Sequence, residues 1–540
     1  MGNAETNRKQ AGGKYDVVLV GAGHNGLTCA GYLSKKGLKV AVVEKNAKVG
    51  GATATEEFFP GHFSDPYSTV HIYTQFSPAM VDLELARFGL EYIEADPFMF
   101  CPYPDGKYLM FYRDLDKTAA EISRLSKHDG QAYSKFIKWA LGLRELMSTL
   151  SFSEPPPLDQ MLSLMKFVDS PEIAAEFVWS TLTSARQVFD HWFESDYVKG
   201  ALSYWAIQLG LAPSSPGSGL NAGMIARFHK VGCRFPKGGS GMLGVALERA
   251  VKHFGGTVFT NNGAKRILLE NGRAAGVELS DGTVLQSNIV ISSLDPKATF
   301  LRLIGREHLD EEFVRKVKRV KSTAVLLTMH VPLDGLPEYA CYPSKGPAPC
   351  HNGCAVISPS AEYVDQAYMD GAQGKPSHNP TVMMLIHSVL DPTRAPAGKH
   401  TMHLAVQNAP YDLANGQHWD QIKDAYAERV FEVVSQYVPN FRKIAKGRHV
   451  VTPLDLERRL GLPRGCDFYI DMTLDQMYGL RPMPGLANYR TQFANLYLTG
   501  AATHPGGGVT TAPGINTANA VLHDLGMEKI EVGAATRTDE

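Results

Sequence analysis

The chain has 540 residues, of which 44% are apolar and 20% charged, and its formal net charge is −1 at pH 7. This composition is ordinary for a folded globular protein and excludes disorder throughout the chain. The balanced charge argues against a protein that holds nucleic acid by its overall field. Seven irregularly spaced cysteines, with no secretory or membrane-spanning pattern, predict free thiols and a cytoplasmic protein.

The first ordered segment predicts a strand, a glycine turn, a helix and a second strand. Residues 15 to 20 form a β-branched apolar run, which is typical of a buried parallel strand. Residues 21 to 26, GAGHNG, follow directly, and a helix is predicted over 27–36. The next apolar run, 39–43, ends at Glu44. The glycines therefore stand in the strand–turn–helix context of a dinucleotide-binding fingerprint.

Each glycine of this motif has an expected role. Gly21 permits the tight turn, Gly23 lets the main chain approach a pyrophosphate, and Gly26 lets the helix pack closely on the strand. The N-terminus of the predicted helix offers main-chain N–H groups and a positive dipole end to the phosphates. Glu44 is expected to accept hydrogen bonds from ribose hydroxyls, which disfavours NADP because a 2′-phosphate would meet the carboxylate.

The rest of the chain alternates helical and strand patterns. Helices are predicted over 114–150 and 158–205, and a Pro/Ser/Gly loop over 213–219. A glycine turn at 236–241, which follows no clear strand, precedes a predicted helix over 242–254. Short strands are predicted at 257–260, 264–269, 274–279 and 288–291, with further strand signals at 320–332 and 381–407. A helix over 420–437, a strand over 496–499, a glycine-rich turn and a helix over 514–525 complete the pattern.

Two further glycine segments favour FAD over NAD. Residues 49–53, VGGAT, place a double glycine just past the ribose acid, as in flavoproteins of the glutathione-reductase type. Residues 497–504, YLTGAATH, resemble the second FAD contact of that group, a strand that ends in glycine beside the ribityl chain. On this resemblance residues 506–510, GGGVT, run under the flavin, and the last helix aims its N-terminus at the pyrimidine edge.

The C-terminal motifs resemble one superfamily more specifically. The runs DMTLDQM at 471–477, RP at 481–482, NYRT at 488–491, THPGGGV at 503–509 and APG at 512–514 are similar to those of phytoene desaturases and carotenoid isomerases. The branch that they resemble includes the pyridine nucleotide-disulfide oxidoreductase domain-containing protein 2 group. PKGG at 236–239 and SSLDP at 292–296 agree, and the resemblance spans about residues 14 to 525.

The resemblance implies an α/β fold: a glutathione-reductase-type FAD-binding Rossmann domain with an interleaved α+β substrate domain and a helical cap. We expect the FAD-binding domain at 14–100, 235–300 and 455–525, the substrate domain and cap at 101–234 and 301–454, and flexible tails at 1–13 and 527–540. The residues expected to bind FAD are Gly21, Gly23, His24, Asn25, Gly26, Glu44, Lys45, Gly50, Gly51, Ala52, Thr53, Ala264, Ser292, Gly500, Ala501, Gly507, Gly508, Val509 and Thr510.

The expected function is an FAD-dependent oxidoreductase that desaturates, oxidises or isomerises an apolar or aromatic unsaturated small molecule. Candidate catalytic residues are His504, beside the flavin glycines, and His71 and Tyr73, in an aromatic cluster after the double glycine. Arg481 and Arg490 are expected to fix the neighbouring loop by salt bridges, or to hold an anionic substrate group. No metal site is predicted, because the ligands Cys350, His351 and Cys354 lack a second ligand pair.

Several alternatives stay open at this point. A flavin amine oxidase shares the glycine motifs, and a flavin-binding protein that acts mainly through a protein partner is an alternative of another class. No second complete nucleotide fingerprint follows, so oxygen, a quinone or another acceptor is expected to reoxidise the flavin. Oligomerisation is open, as is peripheral membrane contact through an apolar segment at 161–168.

Overall fold

The computed structural model describes residues 13–156, 171–323 and 325–531. Most residues of the predicted tails, and the apolar segment at 161–168, lie outside these ranges. Two seven-stranded sheets organise the described part of the chain. No helix among the described residues combines the length and apolar composition that crossing a bilayer requires.

The first sheet contains the dinucleotide-type core. Its strands run in the order β10-β11-β12-β1-β2-β9, and β18 pairs with β12. They are β1 (Tyr15–Val20), β2 (Val40–Val43), β9 (Thr257–Phe259), β10 (Ala264–Glu270), β11 (Arg273–Leu279), β12 (Val284–Ser292) and β18 (Leu496–Leu498). Strands β18, β12, β1, β2 and β9 are parallel neighbours, so their carboxyl ends meet at one edge. The hairpin β10–β11 turns at Asn271-Gly272, both with positive φ, as the sequence predicts.

The second sheet is mainly antiparallel and runs in the order β17-β13-β16-β15-β14-β6-β7. Its strands are β6 (Met99–Pro102), β7 (Tyr108–Phe111), β13 (Leu326–Leu333), β14 (Cys354–Ile357), β15 (Val382–Leu385), β16 (His400–Gln407) and β17 (His449–Val451). Two separate antiparallel strand pairs stand apart from both sheets: β3 (Glu56–Phe59) with β4 (His62–Ser64), and β5 (Tyr92–Ala95) with β8 (Cys233–Pro236).

Helices make up much of the rest of the described chain. They are α1 (His24–Lys35), α2 (Ala79–Asp82), α3 (Leu115–Ser123), α4 (Lys127–Ser151), α5 (Pro171–Leu182), α6 (Ala185–Trp192), α7 (Asp196–Ala206), α8 (Ala226–Val231), α9 (Gly241–His253), α10 (Glu311–Arg319), α11 (Ala361–Ala372), α12 (Trp419–Tyr437), α13 (Phe441–Ile444), α14 (Pro453–Leu460) and α15 (Ala512–Asp524). A π-helical segment spans Lys297–Gly305. This arrangement confirms the predicted α/β fold class.

Three local expectations need correction. The helix predicted over 114–150 is two helices, because Ser126 caps α4 by accepting a hydrogen bond from the Asp129 main chain. Helix α1 begins three residues earlier than predicted, since Gly23 is already its N-cap. The glycine turn before α9 does follow a strand, β8, which pairs with β5 outside the first sheet.

Helices α1 and α15 touch at their N-termini. A Cβ added at Gly514 would overlap the carbonyl oxygen of Asn25 and lie 2.9 Å from the Cβ of Thr28. Gly514 therefore permits a backbone approach that no other residue allows. The two positive helix ends consequently point into one region at the carboxyl edge of the first sheet.

We predict that Gly514→Ala lowers the free energy of unfolding by about 1–3 kcal/mol, because the added methyl group overpacks two buried helix ends. The control is Gly142→Ala within α4, where an added Cβ meets no atom within 4 Å. That variant is expected to be neutral or up to about 1 kcal/mol more stable. Equal urea midpoints for the two variants would contradict this account.

Candidate cofactor and substrate site

The glycines of the first turn differ in their surroundings. Gly21 has a φ of 96°, which favours glycine. A Cβ at Gly26 would overlap the Gly21 carbonyl and lie 2.9 Å from the Leu19 side chain. By contrast, a Cβ at Gly23 would meet no protein atom within 4 Å. The local backbone structure therefore requires glycine at positions 21 and 26. Gly23, by contrast, borders open space in which a ligand can approach the main chain.

The N-terminus of α1 suits an anion. Its N-cap, Gly23, has no side chain to cap the helix, and no acidic residue stands in the first turn. Burial lowers the pKa of His24 to about 4, so its imidazole is neutral near pH 7. The side-chain oxygen of Asn25 has no hydrogen-bond partner among the described residues.

Glu44 holds the turn together from the end of β2. Its Oε2 accepts a hydrogen bond from the Ala22 main chain and its Oε1 accepts one from the Asn46 main chain, both at 2.9 Å. A carboxylate has about four lone-pair sites, so capacity remains for ribose hydroxyls. The loop that follows is anchored in the same way, because the Gly50 main chain donates to the Ala22 carbonyl at 2.8 Å.

One cavity joins the predicted cofactor residues to an apolar chamber. Ten of the predicted residues line it: Gly23, His24, Asn25, Gly51, Ala52, Gly500, Ala501, Gly507, Gly508 and Val509. The same cavity is lined by Tyr67, Val70, Ile72, Tyr73, Trp205, Leu209, Met224, Leu326, Met383 and Ala405. Residues almost 500 positions apart in the chain therefore border one space, whose lining combines the predicted cofactor turns with apolar side chains.

The remaining predicted cofactor residues do not line this cavity. They are Gly21, Gly26, Glu44, Lys45, Gly50, Thr53, Ala264, Ser292 and Thr510, and the last of these lines a second cavity beside it. Ser292 shares a 2.7 Å hydrogen bond with the Thr299 hydroxyl, and the next residue, Ser293, borders the cavity instead. Thr53 donates to the Gly50 carbonyl at 2.8 Å and so supports the double-glycine loop. Their contact with FAD stays a prediction.

The three candidate catalytic residues are not equivalent. Tyr73 lines both cavities, and its hydroxyl donates to the Met224 sulfur at 3.2 Å. The Arg227 guanidinium lies 4.4 Å from the Tyr73 ring centre. Tyr73 is therefore the candidate best placed to touch a ligand in the apolar chamber.

His504 and His71 are placed differently. His504 lines the second cavity, where its Nε2 lies 2.8 Å from the Leu150 carbonyl, and burial lowers its pKa to about 4. His71 lines neither cavity, since its two ring nitrogens contact the Tyr92 hydroxyl at 3.1 Å and the Ser240 hydroxyl at 3.0 Å. Burial lowers the pKa of His71 to about 3. The structure thus places His71 in a supporting hydrogen-bond network.

Sequence reasoning missed much of the chamber wall. On β16 the alternate residues His403, Ala405 and Gln407 share the face that borders the cavity. The spacing of these three residues could have predicted that they share one face of a strand, although it does not indicate that a ligand lies there. Residues 467–469, which also line the cavity, lie in a loop without any periodic pattern.

Arg481 connects the loop at 467–476 to the turn at Ala501 through hydrogen bonds. Its guanidinium, fully buried, donates to the carbonyl oxygens of Phe468, Ile470, Asp471, Gln476 and Ala501 at 2.5–3.2 Å. The predicted salt bridge of Arg481 is therefore wrong, because main-chain oxygens occupy all its donors. Burial lowers its pKa to about 9, so it remains charged near pH 7.

Arg490 does make the ion pairs that the sequence predicts. It contacts Asp524 at 2.7 Å and Glu154 at 3.1 Å, and its side chain is one-third exposed. Exposed ion pairs of this kind contribute little to stability.

We predict that Arg481→Leu destabilises the protein by about 3–5 kcal/mol, because several buried carbonyls lose their donor. Arg481→Lys is expected to retain only part of the stability that Arg481→Leu loses, since an ammonium group cannot reproduce the planar set of N–H donors of a guanidinium. The control Arg490→Leu is expected to cost about 1 kcal/mol or less. Urea denaturation of the three variants tests this, and a smaller loss for Arg481→Leu than for Arg490→Leu would contradict the assigned role.

Comparison with known proteins identifies the family. The model of the NAD(P)-binding Rossmann-like domain matches residues 19–83. Pyridine nucleotide-disulfide oxidoreductase domain-containing protein 2 of Rattus norvegicus is 32% identical over 558 aligned positions, which cover 95% of this chain and 94% of that protein. The chain belongs to this family.

More distant relatives place the family among flavin-dependent oxidoreductases. One polypeptide of the limonene dehydrogenase of Castellaniella defragrans is 27% identical, and the match covers 95% of each chain. A neurosporene-forming phytoene desaturase of Cereibacter sphaeroides is 27% identical over 92% of each chain. These relatives confirm the predicted phytoene desaturase-like enzyme class.

Solved structures agree on the fold. An oxidoreductase of Methanosarcina mazei is 18% identical with a TM-score of 0.62, covering 94% of this chain and 100% of its own. A putrescine oxidase variant is 14% identical with a TM-score of 0.59, covering 95% of this chain and 99% of its own. A Rab GDI of Plasmodium falciparum shares the fold with a TM-score of 0.51 at 11% identity, covering 96% and 100% of the two chains. The fold therefore does not determine the reaction.

Proposed function

We propose that this protein is an FAD-dependent oxidoreductase that desaturates, oxidises or isomerises an apolar or aromatic unsaturated small molecule. One observation carries the proposal: a single cavity is lined by the glycine turns at Gly23, Gly51 and Gly507 and by the apolar side chains of Trp205 and Met383. A cofactor on the glycine turns and a substrate in the apolar chamber would therefore share one space. The names of relatives that refer to limonene and phytoene support apolar substrates.

The residues present fit an FAD molecule. Gly23 borders open space at the uncapped N-terminus of α1, where a pyrophosphate would lie. Helix α15 also lacks a side-chain cap and has no acidic residue in its first turn. Its N-terminus follows directly after Gly507, Gly508 and Val509, which line the cavity. When bound, the flavin supplies a two-electron acceptor for the hydride of a carbon–hydrogen bond.

The chain's own contribution would be to position the substrate and exclude water. Tyr73, Trp205, Met224 and Met383 provide an apolar wall that suits a hydrophobic molecule. The buried His403 is neutral near pH 7, because burial lowers its pKa to about 3. His403 therefore adds no positive charge to the wall of the cavity.

A flavin amine oxidase is the second candidate, and one observation favours it. Tyr67 and Tyr73 both line the cavity, as an aromatic pair that faces an amine would require. The relatives whose names refer to limonene and phytoene nevertheless lead us to favour an unsaturated apolar substrate, with reoxidation by oxygen, a quinone or another acceptor.

We predict that Gly23→Ala and Gly26→Ala separate cofactor binding from folding. Gly23 has φ −68° and open space around it, so alanine fits the flavin-free protein. Its methyl group would occupy the path of the pyrophosphate, and flavin affinity should fall about tenfold or more, equivalent to about 1.4 kcal/mol. Gly26→Ala is expected to lower stability instead, through its overlap with the Gly21 carbonyl.

These two variants are compared after removal of flavin, since bound ligand raises apparent stability. Flavin content of the purified proteins and urea midpoints of the stripped proteins are the readouts. Full flavin content in stably folded Gly23→Ala would contradict the proposed pyrophosphate position.

The reaction class is tested by anaerobic reduction. The visible flavin spectrum is recorded while polyenes, unsaturated lipids, aromatic alkenes and amines are added in turn. Bleaching by an unsaturated apolar class supports the proposal. Bleaching by amines alone would replace it with amine oxidation, and a flavin that dithionite reduces but no compound reduces would favour a binding role.

A further inference from the structure

The turn at 508–511, which leads from the cofactor glycines into α15, has a strained backbone. Val509 has a φ of 56° and Thr511 a φ of 62°. Both side chains are β-branched, and steric contact with the main chain makes this left-handed region costly for such residues. The other non-glycine residues with positive φ in the described part of the chain have no β-branched side chain. Two strained residues therefore stand within three positions in one turn.

The strained turn borders the proposed cofactor site. Gly508 and Val509 line the first cavity, and Thr510 lines the second cavity beside it. Thr511, the next residue, is fully buried and lines neither cavity. Strain of this kind persists only where the surrounding structure holds the backbone in place, and it is concentrated at functional sites. The contacts that hold Thr511 therefore determine the shape of the main chain beside the cofactor.

Ser77 supplies a hydrogen bond to Thr511 from a distant part of the chain. The two hydroxyl oxygens lie 2.5 Å apart, and the Thr511 hydroxyl donates to the Thr510 carbonyl at 2.6 Å. Because the single hydroxyl proton of Thr511 is used there, the Ser77 hydroxyl is the donor between the two. The Ser77 oxygen in turn accepts a hydrogen bond from the Ala79 main chain at 3.1 Å.

The segment that carries Ser77 packs along the whole turn. A Cβ added at Gly508 would lie 3.1 Å from two ring carbons of Tyr73, which lines both cavities. Four residues after Tyr73, Ser77 contacts Thr511, three residues after Gly508. Segment 73–77 therefore supports the turn at both ends, by ring packing at Gly508 and by a hydrogen bond at Thr511.

We propose that the Ser77 hydroxyl is a positioning group for the cofactor: its hydrogen bond to Thr511 holds the turn at 508–511 in the left-handed conformation that bound flavin requires. The inference rests on the proposed function, because it concerns the same cofactor site. Ser77 itself lines neither cavity and acts through Thr511. In the flavin-free protein, release of backbone strain offsets part of the loss of this hydrogen bond, whereas bound flavin requires that the strain be kept. Ser77 therefore contributes more to flavin affinity than to the stability of the flavin-free chain.

The test is a titration of FAD into the full-length protein after removal of flavin, followed by the change in the visible flavin spectrum. For Ser77→Ala we expect the dissociation constant of FAD to rise about tenfold, since one buried hydrogen bond is lost in the bound state. The urea midpoint of the flavin-free variant is expected to fall no further than that of a matched serine variant outside the site.

Ser287→Ala is the matched control. Ser77 and Ser287 are both 5% exposed, and the Ser287 oxygen likewise accepts from the main chain two residues on, at Ile289, at 3.2 Å. Ser287 lies on β12 and lines neither cavity. We expect this variant to lower the urea midpoint while the dissociation constant of FAD stays within about twofold of the wild-type value, because the two sites are independent. A similar rise of the dissociation constant in both serine variants would overturn the proposal.

A double-mutant cycle assigns the effect to Thr511. Thr511→Ser keeps the hydroxyl, and its affinity for FAD is expected to stay within about threefold of the wild-type value. Thr511→Gly removes the hydroxyl and lets the backbone take a positive φ without strain. In that background, Ser77→Ala is expected to change the dissociation constant by about threefold or less, because its partner is already absent.

Two results would overturn the proposal alone. One is an unchanged FAD affinity in Ser77→Ala, and the other is a loss of affinity on Ser77→Ala that persists in full in the Thr511→Gly background. A wild-type chain that takes up no FAD would instead refute the proposed function, and this inference with it.

Discussion

The close approach of two helix N-termini is the constraint on which the rest of the site depends. Helices α1 and α15 are the first and the last helix of the described chain, yet Gly514 lies against the main chain of Asn25. Two helix N-termini close together form a positively polarised region, which favours an anion. Strands β1 and β18 end at the same edge of the first sheet, so the topology brings both helices to one place. This geometry supports the anionic cofactor that we propose.

The second sheet and the loop after α14 complete the wall of the cavity beside the glycine turns. Alternate residues of β16 form one wall, and Arg481 holds the loop at 467–476 against Ala501 through main-chain carbonyls. Carbonyl oxygens solvate the buried guanidinium, so the charge is tolerated without a carboxylate partner. The buried histidines near the chamber are neutral, as burial lowers their pKa values. Shape and hydrogen bonding, more than ionised side chains, therefore define the chamber.

The sequence predicted the cofactor half of the site better than the substrate half, for physical reasons. Gly21, Gly26 and Gly514 are required by backbone geometry, and such requirements appear as fixed spacings after apolar strands. Gln407 reaches the cavity from β16 and Asp467 reaches it from an irregular loop, so no local sequence pattern indicates that both line one cavity. For His71, residue type suggested acid–base chemistry, and the structure adds that Tyr92 and Ser240 lie within hydrogen-bond distance of its ring nitrogens, so its catalytic role stays a prediction.

The identity and amount of bound dinucleotide test the central claim most directly. Purified protein is denatured, and the released nucleotide is separated and quantified against chain concentration. The account predicts intact FAD, about one molecule per chain once the protein is saturated, with no tightly bound nicotinamide dinucleotide. A chain that takes up no FAD, or that binds a nicotinamide dinucleotide in its place, would contradict it.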